Sequence, residues 1–115
     1  MRSLLFAIPL ALAAATPAFA HHGWSSYDAD KTIKVSGALS DVVWGNPHGT
    51  AKIKYQGETW DVILAPVSRM EARGLTKAMV GSGKTVTLEG YPRKDGTAEM
   101  RIERVTAGMQ TVELR

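Results

Sequence analysis

Three histidines are the residues of this chain best suited to metal chemistry, and they occur in only two places. His21 and His22 are adjacent, and His48 follows in a turn-rich segment. If His21 is the first residue of the mature protein, its α-amine and its imidazole Nδ1 can chelate one metal ion together. The imidazole of His48 would then complete a T-shaped set of three nitrogens, known as a histidine brace. Tetragonal nitrogen sites of this kind favour Cu(II).

The N-terminal residues indicate that His21 does become the first residue. Arg2 is followed by the uncharged apolar run 3–15, and Ala18-Phe19-Ala20 is a small-x-small cleavage site. This pattern is typical of a secretory signal peptide. The apolar run is shorter than the ~20 residues that a membrane span requires. We therefore expect residues 1–20 to be removed, and the mature protein to be periplasmic or secreted.

Two other ligand arrangements use the same histidines. His22, in the second position, can bind copper through the amine, the intervening amide nitrogen and its own imidazole, with His48 as a fourth ligand. Alternatively, His21, His22 and His48 can serve as three ligands of a tetrahedral zinc site. Copper is favoured over zinc, and the sequence does not decide which of the three histidines bind it.

Other motifs give weaker indications of chemistry. Residues 81–85, Gly-Ser-Gly-Lys-Thr, resemble part of a phosphate-binding loop, but Ala78 replaces its first glycine and a strand follows instead of a helix. Four methionines outside the leader have spacings that favour core positions over metal ligation. No serine or carboxylate pair has a histidine at a suggestive spacing. We therefore predict no catalytic residues, although copper oxidases also use histidine braces.

Size and charge exclude several classes of protein. Cleavage after Ala20 leaves 95 of the 115 residues, enough for one domain without cysteines. Without Arg2, 13 basic side chains face 11 acidic ones, which is too small an excess for a nucleic-acid-binding protein. No later segment is long and apolar enough to span a bilayer, so no membrane contact is expected after cleavage.

The elements that would position the histidines are mainly strands. Residues 21–31 have no clear period and predict an extended N-terminal segment. Apolar residues then alternate from Ile33, with an irregularity expected near Asp41, and two further alternating segments centre on Ile53 and Val62. A short helix is predicted from Pro66 to a glycine cap at residue 74. Two or three more strands follow.

Three strands, one short helix and two or three strands are the order of elements in an OB-type barrel. We therefore predict a mainly β protein, with an OB-like barrel of five to six strands over residues 32–115. The short helix would lie between the third and fourth strands. A plain antiparallel sheet or roll with one helix is the competing architecture.

Several short motifs resemble a known family. They are His21-His22, the aromatic-x-x-Tyr-Asp of residues 24–28, Trp44-Gly-Asn-Pro-His48, Trp60, Pro66, Arg73-Gly74 and the Tyr-Pro-Arg-Lys-Asp-Gly of residues 91–96. Together they resemble a family of small exported bacterial proteins catalogued as domain of unknown function 6152. That family usually has phenylalanine near the position of Tyr27. The resemblance implies export, an OB-like barrel and a common role for His21, His22 and His48, and it implies no activity.

The sequence thus leads to two alternative functions. The first is a periplasmic copper-binding protein, a carrier or a sequestering protein, with a metal ion and a periplasmic protein as its partners. The second is a metal-free periplasmic OB-type module that binds a small ligand, a glycan or a protein. In the first, His21 and His48 supply the ligands, His22 is an alternative ligand, and Asp28 can orient an imidazole.

Overall fold

The described residues form seven strands, two short helices and one 3-10 turn. The structure is a computed structural model, and it describes residues 23–81 and 83–115. Along the chain the elements are a 3-10 turn (Trp24–Ser26), β1 (Ile33–Ala38), β2 (Ser40–Val43), β3 (Thr50–Tyr55), β4 (Glu58–Ile63), α1 (Val67–Ala72), α2 (Lys77–Val80), β5 (Thr85–Pro92), β6 (Glu99–Ala107) and β7 (Gln110–Glu113).

All seven strands belong to one hydrogen-bonded sheet, and the order of the strands explains why the sheet is curved. Neighbouring strands run in the order β1-β5-β6-β4-β3-β2, and β7 pairs with β6. The pair β4–β6 is parallel and the other pairs are antiparallel. The two ends of the path, β1 and β2, are consecutive in the chain and are separated only by Leu39. The sheet therefore curls into a small barrel-like fold, and the predicted mainly β, OB-like architecture is confirmed.

The first predicted strand is divided into β1 and β2, which raises the strand count to seven. The β2–β3 register shifts between Ser40 and Val43, and Asp41 has a positive φ of 49°. This is the irregularity expected near Asp41. It changes the direction of the strand after the buried Leu39. The predicted helix is also present as α1, followed by the shorter α2, between the third and fourth predicted strands.

The core is apolar and is drawn from every strand except β2. Val62, Leu88, Met100, Ile102 and Val105 have no exposed surface. The two helices and the connection between them add Met70, Leu75 and Val80 to the same cluster. Packing of this kind can stabilise a domain that has no disulfide.

Two sequence-based predictions lie outside the described residues. The signal peptide, residues 1–20, and the paired histidines, His21 and His22, belong to the part that is not described. Within residues 23–81 and 83–115, no helix has the length and apolar character needed to cross a bilayer.

Candidate functional site

His48 lies in the connection between β2 and β3, which is fastened to the end of β4. The next residue, Gly49, donates to the carbonyl of Ala65 at 2.9 Å and accepts from the amide of Leu64 at 2.9 Å. A Cβ at Gly49 would lie 2.8 Å from Met70 Cε, so this glycine permits close packing against α1. The Asn46–Pro47 peptide bond is cis. These contacts fix the backbone on which the half-buried His48 stands.

A small cavity of about 140 Å3 lies beside His48. Apart from His48, its lining is largely apolar or uncharged: Val43, Asn46, Pro47, Thr50 and Ile63. Val43, the last residue of β2, is 58% exposed, one of the two exposed large hydrophobic side chains of the described residues. The imidazole therefore adjoins an open apolar recess on the outside of the barrel.

The recess forms part of a row of residues that crosses four strand pairs. Register partners directly opposite one another share a face of the sheet. The row, which we call the outer row, runs through Val43, Thr50, Ile63, Arg101 and Tyr91. Ile63 is buried but does not belong to the core cluster, consistent with an outward position.

A second row beside it is charged. Lys52, Asp61 and Glu99 are register partners on β3, β4 and β6. Lys52 Nζ lies 2.6 Å from Asp61 Oδ1, and this hydrogen bond raises the pKa of Lys52. With Asp41, these three side chains line a cleft of about 380 Å3 that shares Val43, Thr50 and Ile63 with the recess beside His48. The outside of β2, β3 and β4 is therefore one continuous concave surface.

The first described residues are attached to the β5–β6 hairpin. Tyr27 forms a bridge with Arg93, and the amide of Lys94 donates to the carbonyl of Ser26 at 3.0 Å. Tyr27 is only 2% exposed, and its hydroxyl donates to Glu99 Oε2 at 2.5 Å. Burial, and then this hydrogen bond, raise the pKa of Tyr27 well above its usual value. The N-terminal segment is thus a packed part of the structure from Tyr27 onward.

Trp24 lies against the far half of the outer row. Its ring centroid is 4.6 Å from the Arg101 guanidinium carbon and 4.4 Å from that of Arg115, and its ring meets Tyr91 edge-on at 6.3 Å. Guanidinium groups at these distances from an indole are attracted by the ring quadrupole. Trp24 therefore occupies the half of the row formed by Arg101 and Tyr91, and the His48 recess occupies the other half.

The distance between the two halves of the outer row can be compared with the extended length of three residues, the number of positions from His21 to Trp24. Adjacent strands lie about 4.8 Å apart, so the backbones of Arg101 and Thr50 are separated by two spacings, about 10 Å. His21 precedes Trp24 by three positions, a reach of at most about 11 Å. A chain of three residues can therefore span about the backbone separation of Arg101 and Thr50.

The described residues contain only one of the three predicted ligands. Across 23–81 and 83–115, no group of three or more histidine, cysteine, aspartate or glutamate side chains is arranged to hold a metal ion. Asp28, suggested as an orienting residue, accepts from the amide of Asp30 at 3.0 Å and lies 4.0 Å from Lys31 Nζ. These side-chain contacts of Asp28 are with residues of its own turn.

Sequence reasoning missed Arg101 as a component of this surface. It falls within the segment that forms β6, and the sequence analysis did not single it out. The available signal was its place in Met-Arg-Ile, between two residues that are fully buried. Trp44, which belongs to the motif that carries His48, donates from Nε1 to Glu71 Oε2 at 3.1 Å and packs against the core.

Comparison with known proteins identifies a family for this chain. A search of curated proteins finds no match to the chain. A family model, described as a family of unknown function (DUF6152), matches residues 10–101. The match includes the paired histidines, the connection that carries His48, and Arg101. The chain belongs to this family of unknown function.

Proposed function

We propose that this protein is a periplasmic copper-binding protein, a carrier or a sequestering protein, whose site is a histidine brace. His21 supplies its α-amine and its Nδ1, and His48 supplies the third nitrogen. His22 is an alternative ligand through its own imidazole. Removal of a signal peptide after Ala20 is part of the proposal, because only then is the amine of His21 free.

The observation that carries the proposal is the arrangement along the outer row. Trp24, three positions after His21, contacts Arg101 and Tyr91, and His48 lies beside the recess formed by Val43, Thr50 and Ile63. The two halves meet where Ile63 pairs with Arg101. A chain that continues from Trp24 toward the recess would bring the His21 nitrogens to the His48 imidazole.

The chemistry of the recess also suits a nitrogen-bound copper ion. The residues that line the recess are apolar or uncharged apart from His48. They include no carboxylate of the kind that binds hard cations. Imidazole and amine nitrogens are suitable donors for copper, and copper heads the order of affinity for such sites. An open recess would also allow an incoming ligand from a partner protein to reach the ion, as transfer between carriers requires.

A second candidate function rests on the cleft next to the recess. The cleft of about 380 Å3 combines the Lys52–Asp61 ion pair with the apolar Val43 and Ile63. Concave surfaces with a few polar groups suit small ligands. A metal-free OB-type module that binds a small molecule, a glycan or a protein segment would use this cleft and would not need His48.

A titration with Cu(II) separates the two functions. The mature protein, beginning at His21, is titrated in parallel with His48→Ala and with Val43→Ala, which changes the same recess without removing a nitrogen. The proposal predicts one copper per chain, a loss of affinity of at least about tenfold for His48→Ala, and near-native affinity for Val43→Ala. Equal affinity of all three proteins, or no binding by the native sequence, would refute it.

A further inference from the structure

The methionines of the chain differ greatly in their exposure to solvent. Four of them follow the leader segment: Met70, Met79, Met100 and Met109. Met70 and Met100 have no exposed surface, and Met79 is partly buried against the core. Met109 is 105% exposed, so its whole side chain is in contact with water. The core position that the sequence favours for all four methionines is therefore wrong for Met109.

Met109 lies at the tip of the hairpin between β6 and β7. Ala107 and Gln110 are register partners, so the loop consists of Gly108 and Met109 alone. Gly108 has a positive φ of 63°, which suits the first position of a two-residue hairpin turn. The strand register and this glycine set the turn, so its shape does not depend on the Met109 side chain.

An exposed thioether is open to oxidation by a peroxide. The sulfur lone pair attacks one oxygen of the peroxide, an S–O bond forms and the O–O bond breaks. The second oxygen takes the proton of the first and leaves, as water in the case of hydrogen peroxide. The sulfur loses two electrons and the peroxide gains them. The product, methionine sulfoxide, is polar, and sulfoxide reductases return it to methionine.

The buried methionines are protected from this reaction by the fold. Met70 Cε would lie 2.8 Å from a Cβ at Gly49, in the connection that carries His48. A sulfoxide at Met70 or Met100 would place a polar oxygen in a closely packed apolar core. A peroxide reaches these sulfur atoms only when the structure opens, and such opening costs free energy. The fold therefore directs the first oxidation to Met109.

We infer that Met109 is a modification site, at which a small hydroperoxide oxidises the protein reversibly without changing its fold. The position at the hairpin tip leaves the sulfoxide accessible to a reductase. The inference is independent of the proposed copper site, since no metal ion takes part in the reaction.

The test treats the protein that begins at His21 with hydrogen peroxide in the presence of a chelator, which prevents metal-catalysed oxidation. Peptide mass spectrometry follows the oxygen gained by each methionine, and the melting temperature is measured before and after the first oxygen is gained. Met109→Leu and the control Met79→Leu are treated in the same way. The native sequence is also oxidised in guanidinium chloride, where all the sulfur atoms are exposed. Methionine sulfoxide reductases for both sulfoxide epimers are then added to the oxidised native protein.

We expect Met109 in the folded protein to be oxidised at least about tenfold faster than Met70 and Met100, and all of them to react at similar rates in guanidinium chloride. Met109→Leu should lose the fast reaction, and Met79→Leu should keep it. The singly oxidised protein should melt at the native temperature, and the reductases should restore Met109. The inference would be overturned by equal rates for Met109 and Met70 in the folded protein, or by a fast reaction that Met109→Leu retains. A lower melting temperature after the first oxygen, or a sulfoxide that the reductases do not remove, would also overturn it.

Discussion

Tyr27 and Glu99 are 72 positions apart in the chain, and the tyrosine hydroxyl donates to the glutamate at 2.5 Å. Glu99 is the first residue of β6 and the register partner of Asp61 in the charged row. This single bond therefore ties the N-terminal segment to the same concave surface that adjoins His48. The bond holds Tyr27 against β6, and the contacts of Trp24 with Arg101, Arg115 and Tyr91 hold the residues just before it.

Replacement of Tyr27 by phenylalanine should weaken this attachment. A buried hydrogen bond to a charged group contributes about 1.5–3 kcal/mol, and the Glu99 carboxylate would keep its longer ion pair with Arg93, at 3.5 Å. Tyr91→Phe is the matched control, because its bond to Glu103 is longer, at 3.2 Å. Urea denaturation should show the larger loss of unfolding free energy for Tyr27→Phe. Equal losses of unfolding free energy would mean that the Tyr27–Glu99 bond stabilises the fold no more than the longer Tyr91–Glu103 bond.

A second stability prediction concerns Gly90, which pairs with Ile102 across β5–β6 and lies against the backbone carbonyl of Arg101. A Cβ there would overlap the Arg101 carbonyl oxygen and lie 2.9 Å from Ile102 Cα. Since backbone atoms cannot move aside cheaply, we expect Gly90→Ala to cost about 1–3 kcal/mol or more. Gly37→Ala is the control, since its Cβ would contact Ile53 at an ordinary 3.6 Å. Thermal melts that rank the two variants in the opposite order would contradict this packing.

Acid should remove a contribution that Asp95 makes to stability. Its hydrogen bond from Arg93, and then that from the Thr97 amide, hold the pKa of Asp95 far below its usual value. A carboxylate with a depressed folded pKa stabilises the fold above its unfolded pKa of about 3.9, and loses that effect as pH falls below it. Asp95→Asn should therefore be less stable than the native protein at pH 7, with a smaller difference at pH 2. A difference that is the same at both values would count against the ion pair.

Copper affinity should fall as the solution is acidified. An imidazole must lose its proton to bind a metal, and its unperturbed pKa is about 6.5. Below about pH 6, each ligating imidazole should lower the apparent affinity roughly tenfold per pH unit. Isothermal titration at pH 7.5, 6.5 and 5.5 measures this slope. A constant affinity over that range would exclude histidine ligands.

The fold was predictable because its signals are local. Alternation around Ile53 and Val62 marks two strands, and the irregularity near Asp41 follows from a change of phase that a single sequence displays. The division of the first strand at Leu39 was not predictable. It depends on how β1 pairs with β5 while β2 pairs with β3, and such pairing is set by the whole barrel.

The candidate site was predictable only in part. His48 was identified by residue type and by its turn, yet the recess beside it requires Thr50 and Ile63 to be opposite one another, which only the register establishes. The place of Arg101 on this surface was hidden for a similar reason. Its contact with Trp24 joins residues far apart in sequence, and nothing in the local pattern around either residue indicates the other.

The most direct test of the account compares two forms of the mature protein that differ by one residue. One form begins at His21, and the other carries a single glycine before it, which converts the amine of His21 into an amide without a neutral lone pair. The account predicts that the native start binds one Cu(II), and that the added glycine weakens binding at least tenfold, about 1.4 kcal/mol, as much as His48→Ala or more. Equal dissociation constants for the two forms would show that copper is not bound through the N-terminal amine, and the histidine brace would be wrong.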